Sequence, residues 1–180
     1  MAPRGSPLHG DWDDPSSRGE GLVLLRGGRL LVAKEKRPSA LIEFSPVGLP
    51  PQGLSSNDFL GPDEAWDSPT GHVEFTATSV WPLHGRSAHD IRDISGLAVA
   101  SDRSLWLLSD KSRAIARLRF DRPLAAVTGM IEEFDEVWRL PKHVIKPEGA
   151  AALDDARVLV AMDTGSTTAN GLIVKRPTPR

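Results

Sequence analysis

Three short stretches of this chain repeat one arrangement of oxygen-bearing side chains. Glu20-Gly21, Ser95-Gly96 and Glu148-Gly149 each open a run of small and apolar residues, and fifteen residues after each opening residue stands an acid: Glu35, Asp110 and Asp163. Carboxylates and hydroxyls are the donors that hard cations take, and Ca²⁺ gathers about six to eight oxygens at roughly 2.3–2.6 Å. Two carboxylates and a hydroxyl would supply part of that shell. An acid nearby would suit a general base acting on metal-bound water, and Asp110 with the adjacent Lys111 is the first pair to consider for such catalysis. Both features also have an architectural reading. A carboxylate before glycine can accept backbone N–H groups at a strand start, and Asp-Lys-Ser or Asp-Thr-Gly after an apolar strand is ordinary turn chemistry.

The elements that would position these groups are hairpins. Leu22-Val23-Leu24-Leu25 meets Arg29 to Glu35 through Gly27-Gly28, Leu97-Ala98-Val99 meets Ser104 to Asp110 through Ser101-Asp102-Arg103, and Ala150 to Ala152 meets Arg157 to Asp163 through Asp154-Asp155. Apolar, β-branched runs joined at Gly or Asp clusters are the signature of antiparallel pairs with tight turns. A third strand follows each pair, at Ala40 to Phe44, Ile115 to Phe120 and Gly171 to Val174. The first two alternate apolar with polar residues as half-exposed strands do. A fourth is expected within Val73 to Leu83 and Met130 to Pro141, ending in Trp81-Pro82-Leu83 and Trp138-Arg139-Leu140-Pro141.

Four antiparallel strands per repeat describe a β-propeller blade. The expected fold is all-β, a partial ring of about three blades spanning residues 20–83, 93–140 and 147–174, the third lacking its fourth strand. Rings close with roughly four to eight blades, so three fall short. Residues 1–19 are expected to hold an outer strand of an earlier blade, around Leu8 to Pro15 with Trp12. Ser45 to Thr70, rich in Pro, Gly and Ser, is expected to be a long loop within the first blade, and 175–180 a disordered tail.

The steps Arg92-Asp93-Ile94-Ser95-Gly96-Leu97, Leu107-Leu108-Ser109-Asp110-Lys111-Ser112 and Lys146-Pro147-Glu148-Gly149 resemble the SdiA-regulated and esterase-like phytase propellers. More broadly they resemble the calcium-dependent gluconolactonase propellers of the senescence-marker type. The resemblance covers most of Gly19 to Val174. It implies that Glu20 and Glu148 hold Ca²⁺ at the channel mouth, with Ser95, or Asp93 in its place, contributing a further oxygen. It also implies hydrolysis of an ester, lactone or phosphoester. Ser95 departs from the pattern, since a gluconolactonase-like ligand there would be Asn or an acid. Complete relatives are longer and usually exported, so N-terminal blades and an export signal are expected ahead of Met1.

Other chemistries find less support. The 22 basic and 24 acidic side chains leave a net charge of −2, with no positive field to hold nucleic acid. No apolar run is long enough to span a membrane, and Met1 to Ser17 lacks the apolar stretch of a signal peptide. There is no cysteine, which excludes disulfides and thiolate chemistry. Asp163-Thr164-Gly165-Ser166 has the shape of an aspartic protease turn, but such an enzyme needs two aspartates sharing a proton, and the chain has one copy. His84, His89 and His143 read as loop histidines, although His89-Asp90 beside Asp93 could add a ligand. Ser87 and Ser166 lack a nucleophile elbow. Trp81, Trp106 and Trp138 read as core between blades. Two functions follow as alternatives: a metal-dependent hydrolase, or a non-catalytic propeller module binding a small ligand or a protein. Its open blade faces could pair two copies of the chain.

Overall fold

A computed structural model describes residues 18–61, 63–127, 129–154, 156–165 and 170–176. The described residues form three antiparallel sheets. The first contains β1 (Gly19–Leu25), β2 (Arg29–Lys34), β3 (Ala40–Pro46) and β4 (Phe75–Pro82) in sequential order. A short helix α1 (Gly85–Asp90) leads to the second sheet, again sequential: β5 (Gly96–Val99), β6 (Leu105–Ser109), β7 (Ala114–Leu118) and β8 (Glu136–Arg139). The third holds β9 (Pro147–Ala152), β10 (Arg157–Met162) and β11 (Gly171–Lys175). This is an all-β partial propeller of three blades, with no described helix long and apolar enough to cross a membrane. The expected strand at Leu8 to Pro15, the turn residue Asp155, Ser166 and the last four residues lie outside the described residues.

Blades stack because each buries one apolar face on the next. Leu31, Ala33, Leu41 and Trp81 of the first blade pack with Leu97, Leu105 and Leu107 of the second. Trp106, Leu108 and Trp138 of the second pack with Val158, Val160 and Val174 of the third. Trp106 and Trp138 meet edge to face with ring centroids 5.4 Å apart, an arrangement the aromatic quadrupole favours. The three tryptophans are therefore core.

The innermost strands β1, β5 and β9 lie side by side, and the repeated glycines explain how. A methyl group on Gly21 would stand 3.0 Å from the backbone nitrogen of Leu97 and 2.9 Å from its Cγ. One on Gly96 would stand 3.4 Å from the nitrogen of Ala150. Each repeat glycine thus faces the residue directly after the glycine of the next repeat, where a side chain would hold the strands apart.

The segment from Val47 to Glu74 does more than connect β3 to β4. Leu54 and Phe59 enter the core between the first two blades, and Phe59 lies 5.2 Å from the Phe120 ring. The segment is fastened by a buried charge network. Arg29 Nη1 donates to Glu43 Oε1 at 2.6 Å and to the Gly53 carbonyl, Arg29 Nη2 pairs with Asp58, and Ser79 Oγ donates to Glu43 Oε2 at 2.6 Å. Arg29 and Glu43 are almost wholly excluded from solvent, so each offsets a charge that burial alone would penalise heavily.

Candidate functional site, an acidic mouth on the inner strands

Glu20 and Glu148 occupy the same irregularity in their blades. In β1, Gly19 pairs with Lys34 and Gly21 with Ala33, which leaves Glu20 as the extra residue of a bulge. In β9, Pro147 pairs with Met162 and Gly149 with Ala161, which leaves Glu148 in the same position. A bulge bends its strand and re-aims a side chain, and bulges concentrate near functional sites. Both glutamates are exposed. In the second blade, the Ser95 N–H and the strand residue Gly96 both meet Leu108, but the side chain differs in type and in use.

The Glu148 carboxyl lies within electrostatic reach of other acids of the repeat. The Glu148 carboxyl is held above its ordinary range by partial burial first, and then by the negative charges of Asp110, Glu20 and Asp163, with Lys146 opposing. Acids of all three blades thus act on this one carboxyl. Lys146 is the main counter-charge: its Nζ donates to Asp163 Oδ2 at 2.7 Å, which lowers the pKa of Asp163 and raises that of Lys146. Lys36 pairs with Glu35 at 2.9 Å, and Lys111 approaches Glu35 from the next blade at 4.0 Å.

Asp93 and Ser95 are placed otherwise. Asp93 is buried and accepts the Ser109 hydroxyl and the Lys111 N–H, the latter at 3.1 Å. It ties the entry of β5 to the β6–β7 turn. Ser95 is also buried, and its hydroxyl donates to the Pro147 carbonyl at 2.7 Å, a link between the second and third blades. Among the described residues, no three His, Cys, Asp or Glu side chains come close enough together to hold one metal ion. The chain's own carboxylates thus do not fit a complete Ca²⁺ site, whose remaining oxygens have to come from water, a ligand or another chain.

The remaining candidates resolve into local roles. Ser87 is buried and its hydroxyl donates to backbone carbonyls, that of His84 at 2.9 Å, which anchors α1. His84 faces Glu132 at 2.9 Å on the surface, and His89 is largely exposed beside Asp90. Cavities of about 270 and 350 Å³ lie by the β5–β6 turn, both lined in part by Arg103, and one of about 460 Å³ lies between Leu118 and Asp135. None of the three is lined by the acids of the mouth. The Arg29–Glu43 network escapes sequence reading, because the partners of Arg29 lie 14 and 29 residues along the chain.

The family described as SdiA-regulated matches residues 20–162. No curated protein and no solved structure matches the chain.

Proposed function

This chain belongs to the SdiA-regulated family, and we propose that its three blades form a binding module whose acidic mouth takes a positively charged group, with Ca²⁺ the first candidate. The observation that carries this is the setting of Glu148: a bulge directs it to an end of the arc where Asp110, Glu20 and Asp163 add negative charge. A cation bound there would relieve that repulsion. Glu20 and Glu148 are the proposed ligands, and a small molecule bearing the missing oxygens would complete the shell.

Hydrolysis of an ester, lactone or phosphoester is the second reading. It is favoured by the same carboxyl, since a raised pKa brings Glu148 nearer the range where an acid can both accept and release a proton. Asp110 and Lys111 would flank it. Ligand-dependent stability tests the binding function, because a ligand that binds only the folded state raises its melting temperature. Millimolar Ca²⁺ should raise the melting temperature of the parent chain more than an equal ionic strength of NaCl, and Glu148→Gln should remove the difference. Equal shifts from both salts would sink the binding reading, and turnover of an ester by the parent but not by Glu148→Gln would favour the second.

A further inference from the structure

The turn between β5 and β6, at the opposite end of its hairpin from Ser95 and Asp110, carries an arginine where the first blade has a glycine. Gly28 and Arg103 stand eight residues after Glu20 and Ser95, and both hold left-handed backbone, with φ of +70° and +62°. Glycine takes that conformation freely, whereas a side chain takes it against steric resistance. Glycine would serve the turn, so what Arg103 adds is its guanidinium. Backbone held in such a region collects at functional sites.

Arg103 lines a cavity of about 270 Å³ that Arg119 and Ser56 also line. Among the described residues, neither guanidinium nor the Ser56 hydroxyl has a hydrogen-bonding partner. Two acids nearby are already engaged. Asp102, in the same wall, accepts the Ser104 N–H at 3.1 Å and its hydroxyl at 2.6 Å, and its second oxygen pairs with the buried Arg117. Glu64, whose charge Arg103 also feels, is held by Arg26 and by the Gly61 N–H at 2.7 Å. Arg117 Nε donates to Ser104 Oγ at 3.0 Å, and the Arg119 N–H donates to Asp135 at 2.6 Å, so the backbone that bears both cations is fixed. Asp121 is the remaining acid of the cavity. No hydrogen bond reaches its carboxylate among the described residues.

We propose that this cavity binds a small oxyanion that carries a proton of its own, of which hydrogen phosphate is the simplest. Guanidinium groups match the oxygens of such an anion in bidentate geometry, and Ser56 can donate a further bond. Asp121 accepts the ligand's O–H and repels an anion that has none. The volume is below that of drug-sized sites, which suits a compact ligand. Neither the acids of the mouth nor the cation-binding function proposed above enters this assignment.

Titration calorimetry with phosphate and with sulfate, in metal-free buffer at neutral pH and equal ionic strength, tests it. The parent chain should bind phosphate about tenfold or more tightly than sulfate, the worth of one charge-assisted hydrogen bond. Arg103→Gly keeps the left-handed turn without strain, so it should melt no lower than the parent while binding phosphate about tenfold more weakly. Arg119→Gln, at an exposed position, should weaken phosphate by a similar factor, and Asp121→Asn should remove the preference over sulfate. A parent chain that binds no phosphate, or an Arg103→Gly chain that binds it as well as the parent, would overturn the site. Equal affinity of the parent for phosphate and sulfate would overturn the requirement for a proton-bearing anion.

Discussion

Gly21 and Leu97 touch across the boundary between the first two blades so closely that a single added methyl group would stand 2.9 Å from the leucine Cγ. The contact is between innermost strands. Its closeness sets how tightly the first two blades pack along the inside of the arc.

Alanine at the three repeat glycines should therefore give graded losses of stability. Gly21→Ala should cost about 1–3 kcal/mol, the range for overpacking a tight contact, and Gly96→Ala less, because its nearest atoms stand at 3.4 Å. Gly149→Ala should leave the unfolding of an isolated chain nearly unchanged. Urea unfolding of the three variants checks the order, and an equal loss at all three would contradict the assignment of close approach.

Glu43→Ala should destabilise the chain by about 3–5 kcal/mol, the usual cost of stripping the partner from a buried charge. Arg29 would keep Asp58 but lose its 2.6 Å bond to Glu43, and Ser79 would lose its acceptor. Replacing Arg29 and Glu43 together by apolar residues should recover much of that loss, which a double-mutant cycle measures.

Asp93→Ala should cost about 1–3 kcal/mol, since it leaves the Ser109 hydroxyl and the Lys111 N–H without their acceptor in a buried position. Calcium dependence should persist in this variant if it folds. Loss of the calcium response with unchanged stability would instead make Asp93 a ligand.

Glu148→Gln should raise stability at neutral pH. The folded state holds the Glu148 carboxyl above its ordinary 4.5, so the folded chain binds that proton more tightly than the unfolded chain does. Stability contributed by the protonated form is present below 4.5 and is lost as pH rises through the folded value. The melting temperatures of parent and Glu148→Gln should coincide below pH 4.5 and separate above it, with the variant higher.

The repeat made most of the fold legible. Openers and closing acids at a constant spacing locate every inner hairpin, and the recurrent tryptophans mark core that the packing of Trp81, Trp106 and Trp138 fills. What escaped was non-local. The entry of Leu54 and Phe59 into the core from a Pro- and Gly-rich stretch leaves no periodic trace, and the partners of Arg29 stand up to 29 residues away. The site was legible in part. Glu20 and Glu148 share a bulge that their glycines announce, whereas Ser95 and Asp93 occupy equivalent or neighbouring positions and spend their oxygens on the links between strands and blades. A spacing rule finds positions; it cannot tell which oxygens already have partners.

The most direct measurement of the central claim is a pH titration of the Glu148 carboxyl followed by carbon-13 NMR, with and without Ca²⁺. An apparent pKa above 4.5 is expected in the metal-free chain, with a marked fall when calcium is added, as the cation replaces the repulsion of Asp110, Glu20 and Asp163. A carboxyl that titrates in the ordinary glutamate range and does not move with calcium would contradict it.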